Sequence, residues 1–224
     1  MAIPMLPVAI LSVYLNEGQR VPLPKRMAQA TPDMMVAIQE VGAELAAKGG
    51  HLFLSDLFRS YEMQLQSHLD WKTGRKKAFS PPPGGSMHEA GRAMDLELEG
   101  LGMKLKDFWP IAQAHGLSPI ISEPRDGVSE SWHFDCRGSH DLIYKHYKSG
   151  KGKNFDKPYA AMAASAILSI GVKVDKFGSK QSEAAIQSAL IRLGFEIGDI
   201  DGVLGEQSRN GLEQAGVPLS EATN

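Results

Sequence analysis

Apolar residues recur at helical steps early in the chain. After Thr31-Pro32-Asp33, a helix is predicted whose apolar residues run through Met35, Val36, Ile38, Val41, Leu45 and Ala46, and Gly49-Gly50 ends the run. Thr31 stands at the N-cap and Pro32 at the first helical position, where its missing N–H leaves nothing unpaired. His51 to Phe58 then predicts a strand and Tyr61 to Lys72 a second helix. Ser80-Pro-Pro-Pro-Gly-Gly85 forces a loop, which places His88 on the rim of a mobile segment. The alternation in Ala93-Met-Asp-Leu-Glu-Leu98 suits a strand. Lys104 to His115 predicts a helix ended by Gly116, and Asp141 to Lys148 another. Strands set against several helices give an α+β domain.

A boundary falls near Ser149-Gly-Lys-Gly-Lys-Asn154, a polar stretch suited to a linker. Beyond it the composition turns Ala-rich and helix-prone. Ile186, Leu190 and Leu193 have helical spacing, and Asp201-Gly202 and Gly205 mark tight turns. The expected organisation is a catalytic domain over 1–148, a linker over 149–160 and a small all-α domain over 161–224.

Composition narrows the function classes. The 224 residues are 42% hydrophobic and 22% charged, enough for a real core with a wet surface. A net charge of -2 and a pI near 6.4 argue against nucleic acid as the main partner. The basic run Lys72-Thr-Gly-Arg-Lys-Lys77 reads as a solvated loop ahead of a patch for an anionic polymer. Met1 to Leu15 is apolar but has no basic leader and contains Pro4 and Pro7, so no secretory signal is expected, and no apolar run is long enough for membrane insertion. Cys136 is the single cysteine, which excludes an intrachain disulfide, and it reads as a buried, unreactive thiol. His51, His68, His115, His140 and His146 lack a ligand-like pattern and read as structural or exposed.

Chemistry concentrates in Ser86-Met-His88-Glu-Ala-Gly91-Arg-Ala93-Met-Asp95 and Glu130-Ser-Trp-His133. A catalytic zinc takes three protein ligands and leaves a position open for water. His88, Asp95 and His133 fill that set. A further carboxylate must move a proton to and from the reacting water, and Glu130 is the candidate. Gly91 and Ala93 fall between the first two ligands, where small side chains let the backbone pass close to metal or substrate and let Asp95 enter a packed strand. The competing reading is chance: a His and an Asp seven residues apart, or a lone Glu-x-x-His, is commonly a solvated pair.

The string Ser-x-His-x-x-Gly-x-Ala-x-Asp with a later Glu-x-Trp-His resembles the VanY-like zinc D-Ala-D-Ala carboxypeptidases and L-alanyl-D-glutamate endopeptidases, the LAS metallopeptidases. The resemblance covers roughly residues 25 to 148. It implies one Zn²⁺ per chain bound by His88, Asp95 and His133, Glu130 as general base, and a LAS-type domain with a small antiparallel sheet and helices. Phe58-Arg59-Ser60-Tyr61-Glu-Met-Gln64 is similar to the family's Tyr-Arg-Ser-x-x-x-Gln, with Phe58 in place of Tyr. On that match Arg59 steadies the scissile carbonyl or the oxyanion, and Ser86 and Gln64 contact substrate. Taken by itself, Arg59 is equally readable as a surface residue capping the helix that starts near Ser60.

Ile186-Gln187-Ser-Ala-Leu190-Ile-Arg-Leu193-Gly194-Phe195, followed by Asp201-Gly202-Val-Leu-Gly205, resembles the three-helix peptidoglycan-binding domain. Leu204 replaces the usual Phe and Ser208 the usual Thr, and Leu212-Glu-Gln-Ala215 stands where Phe-Gln closes the last helix. A mere stabilising appendage is the alternative. Together the resemblances imply an endolysin-like peptidase of peptidoglycan, monomeric, made in the cytoplasm and released to the wall with a holin, most naturally cutting the L-alanyl–D-glutamyl bond. The alternatives are a D-Ala-D-Ala carboxypeptidase or dipeptidase, and, in another class, a catalytically degenerate wall-binding phage component.

Overall fold

The computed structural model describes residues 2–218, which divide into two compact units. The first comprises Ile3–Ser80 and Met87–Arg137. The second comprises Ala2, Pro81–Ser86 and residues 138–218.

In the first unit the elements run β1 (Leu6–Pro7), β2 (Leu11–Asn16), β3 (Gln19–Pro22), β4 (Gln29–Ala30), α1 (Pro32–Ala47), β5 (Leu54–Asp56), α2 (Tyr61–Lys72), β6 (Ala93–Leu96), α3 (Leu105–Ala114), β7 (Leu117–Pro119) and β8 (His133–Cys136). β1 pairs with β4, and the other six strands form one sheet in the order β3-β2-β5-β6-β8-β7. The α+β class expected from the sequence is what is observed. The sheet is mixed and not wholly antiparallel, because β2 runs parallel to β5. The β2–β3 hairpin was not expected: Glu17 and Gly18, both at positive φ, make its two-residue turn between Asn16 and Gln19. The strand expected over His51 to Phe58 contracts to three residues. A register shift between Leu54 and Asp56 breaks the ladder, and the amides of His51 and Phe58 turn instead to the carbonyls of Gly100 and Met27.

α1 lays Met34, Ala37, Ile38, Val41 and Leu45 into the core, whereas Val36 and Ala46 of the expected apolar run fall outside this face and are exposed. They meet the core faces of β5, β6 and β8 and the inner face of α3, where Phe108 packs edge-on against Phe134 at 5.1 Å. Burying these side chains at about 25 cal/mol per Å² of apolar surface drives the layer together. Thr31 precedes α1 as expected but makes no side-chain cap. Its hydroxyl accepts from Arg92 instead, at 3.2 Å.

The second unit contains α4 (Asp141–Lys148), α5 (Pro158–Ser169), α6 (Gln181–Arg192) and α7 (Glu206–Gln214). The division of the fold thus falls between Arg137 and Gly138, eleven residues before the boundary expected after 148, because α4 packs on α5 and α6. Ala161 to Leu168 are buried on every side of α5, which is why this helix shows no amphipathic stripe. The segment expected as a linker is tied down: Asp199 accepts from the amides of Lys153 (2.5 Å) and Asn154 (3.2 Å), and Asn154 bonds the Tyr147 hydroxyl and the Ile200 carbonyl. Gln187, part of the motif, is 2% exposed and clasps the Asp201 turn. Its Oε1 accepts from the amides of Asp201 (3.0 Å) and Gly202 (2.7 Å), and its Nε2 donates to Asp201 Oδ1 and the Val203 carbonyl. Gly202 is required there, since it has φ +72° and a Cβ would lie 2.5 Å from that of Lys180.

Candidate metal centre

Sheet register assembles the site. Asp95 on β6 lies directly opposite His133 on β8, and on its other side β5 sets Asp56 opposite Asp95. Three polar side chains therefore stand in a row across neighbouring strands. His88 comes from the 3₁₀ turn Met87–Ala90, whose residues are all buried, so it sits at 2% exposure and not on the rim of a loop. That turn is closed by the Gly91 amide on the His88 carbonyl at 3.0 Å and the Arg92 amide on the Met87 carbonyl at 3.1 Å. Gly91 is at φ +59°, and a Cβ would meet Met5 Cε at 2.3 Å and Ala30 Cα at 3.1 Å. The glycine of the motif is thus a packing requirement as well as a conformational one.

One ligand atom from each of His88, Asp95 and His133 lies within 4.8 Å of the others. His133 Nδ1 is 2.8 Å and His88 Nε2 3.4 Å from Asp95 Oδ1. The outer ring atoms are held from behind. His88 Nδ1 lies 2.8 Å from the Leu57 carbonyl, an acceptor that fixes the ring proton on Nδ1 and leaves the Nε2 lone pair turned to the cluster. His133 Nε2 faces Asp135 Oδ1 at 2.9 Å, and Asp135 is fully buried. A carboxylate or carbonyl behind each imidazole is the arrangement that orients metal-binding histidines and raises their basicity.

Electrostatics favour a cation at this point. Burial would lower the His133 pKa, but the charge and hydrogen bond of Asp135, with those of Asp95, outweigh it and raise the value to about 10. Burial would raise that of Asp95, yet His88 and His133 hold it well below the ordinary carboxylate range. A ring pressed between two carboxylates keeps a proton where no other positive charge is supplied. Two imidazoles, one carboxylate and this field suit a divalent ion of zinc type.

Arg59 enters the same cluster. Its Nε donates to Asp56 Oδ2 at 2.6 Å, its Nη2 reaches Asp95 Oδ2 at 3.4 Å, and its Nη1 donates to Gln64 Oε1 at 3.2 Å. Burial disfavours its charge, but Asp56, Asp95 and, to a smaller extent, Glu130 raise its pKa above the usual value. The helix-cap reading is excluded, since α2 is capped by the Ser60 hydroxyl, which accepts from the Met63 amide. Glu130 lies where the chain enters β8, its carbonyl accepting from the His133 amide at 3.1 Å. Its φ is +69°, a left-handed conformation uncommon for this residue type. Ser86 is buried and is grouped with the second unit.

Three residues of this region were not singled out in the sequence. Asp135 could have been found from its i, i+2 relation to His133 on a strand, which puts both side chains on one face. Asp56 carried no local signal, because only strand pairing brings it opposite Asp95. Arg92 sits between the ligands in the motif and is 2% exposed. It donates to the Cys136 carbonyl (2.9 Å), to Thr31, and bidentately to Asp33 (2.8 and 2.5 Å), bracing the turn that carries His88 against α1 and β8. Cys136 is buried, as expected, and burial pushes its thiol up to about 12. The remaining histidines serve other contacts: His68 with the Ser80 carbonyl, His115 between Glu40 and Glu44, His140 with Ser165, His146 with the Gly198 carbonyl, and His51 stacked on Phe53. No helix among the described residues is long and apolar enough to cross a membrane.

No family model and no curated protein matches the chain. Among solved structures, it is similar to the LdcB LD-carboxypeptidase with a TM-score of 0.43 and 18% identity, over 58% of this chain and 66% of that one, just under two thirds of its length. It is also similar to a variant of the vancomycin resistance D,D-pentapeptidase VanY in complex with Zn(II), with a TM-score of 0.38 and 17% identity, over 64% of this chain and 89% of that one.

Proposed function

We propose that the chain is a zinc-dependent peptidoglycan peptidase that hydrolyses an amide of the murein stem peptide, the L-alanyl–D-glutamyl bond above others. The observation that carries this reading is the buried His88, Asp95 and His133 cluster, each histidine backed by an acceptor, with Arg59 bonded into it. The motif resemblance adds the substrate class.

His88 Nε2, Asp95 and His133 Nδ1 would hold the zinc, whose Lewis acidity makes water more acidic and draws charge from a carbonyl oxygen. The residues of the chain do the rest. Asp56 and Gln64 fix the Arg59 guanidinium, which has five N–H donors and keeps an Nη1 donor for a substrate oxygen that gains charge as the carbonyl carbon becomes tetrahedral. Glu130 takes the proton that the attacking water loses and returns it to the leaving nitrogen as the C–N bond breaks. Asp135 keeps His133 in one orientation throughout. Ser86 and Gln64 contact the peptide.

In the second unit, the Asp201 turn borders a cleft of about 400 Å³ lined by Lys151, Lys153, Asp199, Glu206 and Gln207. We place wall binding there. Tethering a peptidase to its polymer raises the local substrate concentration, so weak binding of each stem peptide suffices. On this reading the protein is endolysin-like, acting as a monomer on the wall after holin-dependent release.

The test is mass spectrometry of fragments released from purified sacculi, with and without chelator and with zinc added back. New L-Ala and D-Glu termini that vanish with chelator are expected. Release of D-Ala alone would replace the endopeptidase by a carboxypeptidase, and no release with zinc bound would leave a wall-binding component. Glu130→Ala should keep zinc and lose turnover, while Asp95→Ala should lose both.

A further inference from the structure

The basic run that ends α2 and follows it contains one lysine unlike its neighbours. Lys72 and Lys77 are exposed, whereas Lys76 is half-buried and donates to Ser67 Oγ at 3.0 Å. Ser67 is itself held, accepting from Ser80 Oγ at 3.0 Å, and Ser80 accepts from Gln64 Nε2 at 3.0 Å. Gln64 Oε1 accepts from Arg59, which reaches Asp95. An unbroken chain of hydrogen bonds therefore runs from a metal-cluster carboxylate to the Lys76 ammonium. Gln64 can be placed in it only one way round, with its oxygen to Arg59 and its nitrogen to Ser80.

The charge of Lys76 is not spent on its own loop. Asp70, in the last turn of α2 beside that loop, is paired with Arg75 at 2.8 Å. Burial and then the like charge of Arg59 lower the Lys76 pKa, while Asp95, Asp56 and Glu130 pull it back up. Its ammonium is thus partly stripped of water, feels the like charge of Arg59, and is joined to the cluster through the hydrogen-bonded chain. Such a group gains from an added anion.

Both candidate bonds offer one in the same place. In L-alanyl–D-glutamate the carbon bearing the scissile nitrogen carries the α-carboxylate of D-glutamate, and in D-alanyl–D-alanine it carries the terminal carboxylate. Building on the peptidase reading, we propose that Lys76 is a specificity-determining residue that binds the carboxylate on the leaving-amine side of the scissile bond. A lysine suits this role as a point charge on a flexible stem, whereas the planar fork of Arg59 is committed to Asp56, Asp95 and Gln64.

The test compares N-acetyl-L-alanyl-D-glutamate γ-methylamide with its α-carboxamide twin, and N-acetyl-D-alanyl-D-alanine with its amide, on the zinc-loaded full chain. Binding is measured by calorimetry in the Glu130→Gln background and turnover in the chain with Glu130. One carboxylate should be preferred over its carboxamide by about 10- to 100-fold, the range for a charge-assisted hydrogen bond. Lys76→Met should erase that preference, mainly through KM, with zinc content and melting temperature unchanged. Lys76→Arg should retain most of it, and Ser67→Ala, which removes the brace but not the charge, should retain some. Absence of a preference in the unmutated chain for both pairs would overturn the proposal. So would a Lys76→Met variant that weakens acid and amide equally, which is the signature of a merely structural lysine. A carboxylate preference in binding that Lys76→Met removes, without hydrolysis of any peptide, would uphold Lys76 and refute the peptidase reading.

Discussion

Replacing Arg92 with methionine keeps most of the side-chain volume and removes a buried cation that holds three segments together. Two of its bonds run to the Cys136 carbonyl at 2.9 Å and the Thr31 hydroxyl at 3.2 Å, both in the interior. Left unsatisfied, such acceptors cost about 1–3 kcal/mol each, less where a second partner remains. The bidentate pair with Asp33 contributes less, because that carboxylate is half exposed and can turn to water, which limits its share to about 0–1 kcal/mol. The expected loss is about 2–4 kcal/mol, or a fall of about 6–12 °C in the melting temperature at roughly 3 °C per kcal/mol for a chain of this size. A pH signature accompanies it. Burial would raise the Asp33 pKa, but the hydrogen bonds and charge of Arg92, with the Thr31 hydroxyl and the Met34 amide, leave it lowered. A carboxyl depressed in the folded state stabilises fully above its unfolded pKa of about 3.9 and loses that contribution as pH falls through the folded value. The gap between the unmutated protein and Arg92→Met should therefore be widest near neutrality and narrow below about pH 4. Thermal unfolding of zinc-free protein across that range checks both parts. A melting temperature within about 2 °C of the unmutated protein at pH 7, or a gap independent of pH, would refute the reasoning.

Zinc loading at pH 7 should release close to one proton from His133, which carries one up to about pH 10 in the metal-free chain. Its raised pKa stabilises the metal-free fold fully below the ordinary histidine value and is lost as pH rises through about 10, so zinc affinity should climb with pH over that window; calorimetry in two buffers of different ionisation heat counts the protons. Gln187→Leu leaves the amides of Asp201 and Gly202 without their acceptor and should destabilise the second unit by about 2–4 kcal/mol, read as faster amide exchange at 201–203 with zinc content unchanged. At position 130, Asn should give a more stable protein than Gln by about 0.5–1 kcal/mol, because Asn tolerates a φ of +69° and both changes remove the same charge. Equal stabilities by chemical denaturation would show that the backbone there holds no strain.

Much of the first unit was legible because its elements announce themselves locally. The α1 stripe needs only the helical period, and the Thr31-Pro32 start and Gly49-Gly50 stop need only backbone sterics. What escaped depends on partners distant in sequence. β3 lies at the edge of the sheet, and β2 beside it leaves Leu11 and Leu15 exposed, so the alternation that marks a half-buried strand is blurred. The strand expected at 51–58 obeys propensity, but the register shift beside Asp56 ends it early. The boundary expected at 148 followed the glycines and lysines of 149–154. Nothing local could reveal that Asp199, forty-five residues on, fastens that stretch to the second unit, or that α4 packs on α5 and α6.

At the site the division is of the same kind but sharper. Metal ligands were legible because chemistry restricts them to few residue types and the motif fixes their spacing. The residues that make those ligands competent were not, because any buried acceptor can serve behind an imidazole: a carboxylate does so for His133, and a main-chain carbonyl, with no side-chain identity at all, does so for His88. Arg92 shows the opposite case. It falls inside the motif, between two ligands, yet its work is directed away from the cluster, toward Asp33 on α1 and the carbonyl of Cys136. A motif therefore marks a segment that must be held in place as much as a set of atoms that must react. The sheet explains why the two demands coincide, since the register that sets Asp95 opposite His133 also sets Ala93 opposite Asp135, and one slip of the ladder would lose the ligand and its support together.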